Sequence, residues 1–225
     1  CACPNMVRVP STSSTPMNNT FWLDPSPPAI CGVTTPNSFP YLVTNFPWVE
    51  NFSSIDWIPG SGTGATGTAH RGTFPQGNPP SGKNWQVSPN TNSTGFAWSV
   101  RIGQTGTLNT GPLGDHTTGG GKYIYTEASQ GNTNNNTTLI SPCIKLTGLN
   151  HAVLEFWYHK YGNDMGNLRV DIDTGSTTPK WVVGVMLVPG QQQTNQNDPW
   201  QKALVNLDPY LDQIIRIRFL GNKNN

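Results

Sequence analysis

Three short stretches hold residue types that could do chemistry. "TGPLGDHTTGGGKYIYTEAS", residues 110–129, places Asp115 beside His116 and follows them with a glycine run. "VDIDTGST", residues 170–177, carries Asp173 in an Asp-Thr-Gly sequence. The cysteines, Cys1, Cys3, Cys31 and Cys143, are even in number. An Asp–His pair suggests acid–base work, a glycine run suggests a phosphate cradle, and Asp-Thr-Gly suggests an aspartic protease.

Each of these readings fails on a partner. Adjacent residues on an extended chain point apart, so Asp115 and His116 make a poor dyad, which needs mutual hydrogen-bond reach. Gly119–Gly121 lacks the Lys-Ser/Thr ending of a phosphate loop. Aspartic protease chemistry needs two carboxylates sharing a proton, and the chain has a single Asp-Thr-Gly and no Asp-Ser-Gly. His70, His116, His151 and His159 show no zincin spacing, and no Gly-x-Ser-x-Gly elbow is present. "CAC" is too tight for a zinc knuckle, so the cysteines read as disulfide partners of an extracellular chain.

The elements that must hold these residues are strands. With 24 Gly and 20 Pro in 225 residues, long helices are disfavoured. "AWSVRI", "KYIYTEA", "TTLISPCIKL", "AVLEFWYHK", "NLRVDID", "WVVGVMLV", "QKALVNL" and "IIRIRFL" are short β-type runs bounded by turn residues. In two of them apolar residues (Leu168, Val170, Ile172; Ile215, Ile217, Phe219) face away from charged ones (Arg169, Asp171, Asp173; Arg216, Arg218). "NDPWQKALVNL" is the one stretch that also fits a short helix. The pattern predicts an all-β sandwich or jelly roll. Residues 1–36 read as a linker or the tail of a preceding module, and 59–97 as a Gly/Asn/Pro-rich insertion, either an ordered excursion anchored by Phe74 and Trp85 or a mobile one. A net charge of +1 gives no basic patch for nucleic acid. No apolar run reaches membrane-span length. The chain opens on Cys1 without a leader-like segment and reads as a mature or excised piece.

Residues 110–129 closely resemble the signature of MAM domains, named from meprin, the A5 protein and receptor phosphatase mu. "LISPCIKLTGLNHAVLEFWYHKYGNDMGNLRVDI", "PWQKALVNLDPY" and "IIRIRFLG" follow in that family's order, and "FPWVENF" with Asp56–Trp57 resembles its opening strand. The likeness covers 39–58 and 98–222. Val153 stands where animal members usually have cysteine, and the family's closing strand is not seen before Asn225. The Cys31 and Cys143 spacing is more like MAM modules of large secreted or surface bacterial proteins. The resemblance implies a jelly-roll sandwich of two antiparallel sheets in the domain 37–225. It also implies a non-catalytic adhesion or interaction module, secreted or at the cell surface, joined to other domains of a long chain and meeting protein or glycan ligands. A structural Ca²⁺ is implied too, with Glu50 and Asp115 at the family's acidic positions. Cys31 and Cys143 lie near strand onsets of one domain and are the expected disulfide. An accessory, glycan-binding domain of a secreted hydrolase is the alternative, with Trp85 and Trp98 as its candidate ligand contacts.

Overall fold

A computed structural model describes residues 2–3, 7–9, 42–60, 85–88, 96–127, 136–175 and 178–223. They form an antiparallel β-sandwich without α-helix; the one helical turn is a 3-10 turn at Asp208–Tyr210. The largest sheet has the order β12 (Trp181–Val188), β11 (Met165–Asp173), β14 (Ile214–Lys223), β8 (Asn136–Ile140) and β5 (Gln86–Ser88). Also on β14 is β9 (Cys143–Lys145), which pairs in parallel with β3 (Leu42–Val43). A second sheet runs β13 (Gln201–Asn206), β10 (Val153–Tyr158), β2 (Val7–Val9) and β4 (Trp48–Glu50). The third is β1 (Ala2–Cys3), β7 (Lys122–Thr126) and β6 (Trp98–Ile102).

Side-chain alternation sets these elements. On β10, Leu154, Phe156 and Tyr158 point inward, while Val153, Glu155 and Trp157 are half-exposed. Fully burying a Leu or Phe is worth about 1.5–3 kcal/mol, so a one-residue slip would expose that whole row. Leu168, Val170 and Ile172 of β11 and Ile215, Ile217 and Phe219 of β14 are buried, as the alternation predicts. They join one core that also holds Trp48, Trp57, Trp85 and Trp98.

The structure resolves one ambiguity of the sequence and departs from two expectations. "QKALVN" is a strand rather than a helix: all six residues of β13 pair with β10, and Ala203 and Val205 face the core. Ala2–Cys3 and Val7–Val9, inside the stretch read as a linker, add strands to two sheets, with β2 lying between β4 and β10. The rest of 1–36 lies outside the described residues. Within the stretch read as an insertion, Gln86–Ser88 pairs with β8, and Trp85 is core. Phe74 lies outside the described residues.

Candidate functional site

The connection from β6 to β7 carries Asp115. Its carboxylate faces inward, 6% exposed, and gathers the loop around itself. Oδ2 accepts the N–H groups of Thr117 and Thr118, each at 2.9 Å, and Oδ1 accepts the Thr118 hydroxyl at 2.8 Å and the Gly121 N–H at 2.5 Å. Burial pushes this carboxyl up, but the bonds from Thr118, Gly121 and Thr117 outweigh it and hold the pKa below the usual range. Glycine is required at two points for space. A Cβ on Gly114 would lie 2.0 Å from the Gly119 carbonyl oxygen, and one on Gly121 would lie 3.0 Å from the Asp115 carboxylate carbon. The last glycine of the run, Gly121, therefore closes the loop directly on the buried carboxylate.

Glu50, at the end of β4, is fully buried. Oε1 accepts the Phe52 N–H at 2.9 Å and Oε2 accepts the Trp85 indole N–H at 3.4 Å. Lys122, directly after Gly121, donates its ammonium to the Ser54 carbonyl at 2.9 Å and so ties the Glu50 turn to the Asp115 loop. Calcium takes six to eight oxygens. No group of three His, Cys, Asp or Glu comes together among the described residues. Two carboxyl side chains suit a hard cation in kind, and main-chain carbonyls of these loops would have to complete the set.

Trp85 and Trp98 are not ligand contacts of the surface. They are 1% and 0% exposed and belong to the main core, so neither has a ring face for a sugar. Asp173 is equally committed: Oδ1 accepts the N–H groups of Gly175 and Lys180, and Oδ2 takes Arg216 at 2.5 Å. Asp171 faces Arg169 and Arg218 at 2.8 and 2.7 Å. Both carboxylates are thus spent on the charged face of β11 and β14, which is covered rather than open to water: Asp171 and Asp173 are buried, and Arg218 also lies 3.9 Å from the Trp181 ring centre. Cys143 is buried and disulfide-bonded; Cys31 lies outside the described residues.

Sequence reasoning missed an aromatic group on the outer face of β10 and β13. His116 stacks on Trp157 with ring centres 3.9 Å apart, and Trp200 stands edge-on to His116 at 6.5 Å. Lys202, paired with Glu155 at 2.9 Å, lies 5.6 Å from the Trp157 ring centre. Beside it Leu204 is 60% exposed. The outward alternation of Glu155 and Trp157 was the available signal; the contact with His116 joins distant parts of the chain. His116 is thus a stacking partner, and its pKa is lowered by burial against the opposing charge of Asp115.

Behind Trp200 lies His159, fully buried, with no hydrogen-bond partner on either ring nitrogen among the described residues. Burial pushes its pKa down to about 4, against the opposing pull of Asp198 and of main-chain groups at Asp198 and Gln196. Its unfolded pKa is about 6.5, so between these values the unfolded chain binds the extra proton. Stability is full above pH 6.5 and falls as pH drops toward 4, by about 3 kcal/mol from this residue. Urea titrations at pH 7 and pH 4.5 should show that loss in the wild-type chain and a smaller one in His159→Phe. Equal losses in both proteins would refute this assignment.

With that geometry in place, the comparisons with known proteins agree. The family described as MAM domain, meprin/A5/mu, matches residues 76–225. The chain belongs to the MAM family. It is 43% identical over 109 residues to MAM domain-containing protein 2 of Homo sapiens, covering 48% of this chain and 15% of that one. It is 39% identical over 77 residues to neuropilin-1a of Danio rerio, covering 34% of this chain and 8% of that one. To thyroid hormone-induced protein B of Xenopus laevis it is 40% identical over 73 residues, 32% of this chain and 10% of that one. The match therefore spans a small part of each relative's length. No helix among the described residues is long and apolar enough to cross a membrane.

Proposed function

We propose that the chain is a non-catalytic adhesion or interaction module of a longer extracellular or cell-surface protein. One observation carries this reading: Asp173 of the Asp-Thr-Gly sequence is taken up by its own turn and by Arg216, and His116 of the Asp–His pair is a stacking partner of Trp157. What remains outward is a contact surface, with Trp157, His116, Trp200 and exposed Leu204 as its apolar part and the Lys202–Glu155 pair at its side. Partly exposed aromatic residues are enriched at protein interfaces. The partner is a protein or glycan at the cell surface, or a neighbouring domain of the same chain. Beads coated with the folded chain should retain cells, and beads coated with the reduced, unfolded chain should not. Equal retention by both coatings, or by neither, speaks against a folded interaction module.

The proposal includes the disulfide and the cation. A Cys31–Cys143 bridge would close a loop of over a hundred residues, worth about 4–5 kcal/mol in the loop-entropy model. Its support is the buried, disulfide-bonded state of Cys143. A structural Ca²⁺ at Glu50 and Asp115 has as its support that both carboxylates are buried and that Lys122 links their loops. An ion binding the folded state alone stabilises it by about 2.7 kcal/mol at 100 times its dissociation constant. Chelation should therefore lower the melting temperature of the wild-type chain, and Asp115→Ala should remove that response. Coincident wild-type curves in calcium and in chelator would leave Asp115 as the lock of its loop alone.

A further inference from the structure

Five Asn-x-Ser/Thr triplets occur in the chain, at Asn18, Asn51, Asn92, Asn135 and Asn136. Such a triplet accepts an N-linked glycan on a surface turn of a secreted protein. Asn18, Asn92 and Asn135 lie outside the described residues. Asn136 opens β8, pairs with Asn222, and its triplet runs on through fully buried Thr137 into the strand. Thr138 is paired on both sides, with Leu220 of β14 and Ser88 of β5, so this triplet is held inside the sheet rather than on a turn.

Asn51 differs on every count. It follows β4 in an exposed bend with Phe52 at φ 58°. Its Oδ1 accepts the Ser53 hydroxyl at 2.6 Å and the Ser53 N–H at 3.1 Å. Asn51 and the Ser53 of its triplet are therefore already folded onto each other. The hydroxyl bond holds Ser53 against the amide, the bend leaves Asn51 on the surface, and Phe52 between them anchors the turn in the core, 1% exposed. Close by, Ile55 is 86% and Ile58 52% exposed, two apolar side chains that a sugar antenna would shade from water.

We infer that Asn51 is an N-glycan acceptor, a reading that rests on the extracellular placement proposed above. In the transfer, Asn51 Nδ2 bonds to the anomeric carbon of a glycan carried on a lipid pyrophosphate. The bond from that carbon to the pyrophosphate oxygen breaks, the lipid pyrophosphate leaves with the electron pair, and Nδ2 gives up one proton. The glycan projects from the turn that Lys122 ties to the Asp115 loop. To test this, the chain is directed through the secretory pathway of a eukaryotic host and mapped by mass spectrometry with and without peptide N-glycosidase. Asn51 should be found as Asp after enzyme treatment in most molecules. Ser53→Thr should keep the modification, and Ser53→Ala should abolish it while the chain remains folded. Unmodified Asn51 in wild-type chain from that pathway overturns the inference. Occupied Asn51 in a chain that fails to retain cells would instead sink the adhesion reading and leave the acceptor site standing.

Discussion

Trp98→Ala will lower the unfolding free energy by about 3–5 kcal/mol, the range for truncating a buried large aromatic residue. The ring is fully buried where β6 meets the largest sheet, and a Cβ added at Gly221 of β14 would lie 3.5 Å from its edge. The cavity left by alanine could not collapse readily, because the walls are paired strands. Trp98→Phe separates the indole N–H from the bulk of the ring. That N–H has no hydrogen-bond partner among the described residues, so phenylalanine strands no acceptor and should cost much less than alanine. Denaturant titration of the three proteins measures both differences. A loss under about 1 kcal/mol for Trp98→Ala, the size expected at a surface position, together with weakened glycan retention, would return Trp98 to the surface as a ligand contact.

Asp171→Ala is expected to be nearly as damaging. The carboxylate is fully buried, while Arg169 and Arg218 are 30% and 17% exposed at their side chains. Oδ1 also accepts the Gly184 N–H at 2.7 Å, where β12 bulges away from β11 and Gly184 takes φ 73°. Removing one partner of a buried ion pair costs about 3–5 kcal/mol, because the other charge is left behind; the partial exposure of the two arginines places this case at the lower end. Burial raises the Asp171 pKa, and the bonds from Arg169, Gly184 and Arg218 outweigh it and hold the pKa below the usual value. Stability from this group is therefore present above pH 4 and lost as pH falls through the folded pKa. That window lies below the one set by His159, so an acid titration should show two separate losses. A wild-type stability that stays flat below pH 4, or an Asp171→Ala chain as stable as wild type, would contradict the ion-pair account.

Strands with strict alternation were legible because one face is apolar core and the other carries charged side chains, even where those are buried, as Asp171 and Asp173 are. β11 and β14 show it plainly: Val170 and Ile217 are buried, and Arg169 and Arg216 are partly exposed. β7 was half-legible. Tyr123 and Tyr125 do share a face, but they pack in a small cluster of their own with Trp200, while Ile124 joins the main core. A strand buried on both sides has no wet face to mark it. "VRV" and "QVS" could not be found, since three residues carry no period and the pairing partners lie far along the chain. β13 was ambiguous for a related reason: "QKALVN" fits either period, and its pairing with β10 decides.

The candidate site divides in the same way. Asp115 as a turn residue could be read from Thr and Gly around it, since its four donors all come from within six positions. The burial of Trp85 could not, because it depends on Trp48 and Trp57, which stack around it at 6.1 and 5.9 Å. Nor could the His116–Trp157 stack, whose rings belong to a loop and to a strand of another sheet.

The central claim, a folded interaction module that acts through its outer aromatic face, is tested most directly by cell retention on coated beads with two face variants. Leu204→Asp and Trp157→Ala change side chains that point away from the core. Both should leave the melting temperature close to that of the wild-type chain while reducing retention at least tenfold, a loss of about 1.4 kcal/mol in binding. Retention unchanged in both folded variants would contradict the account.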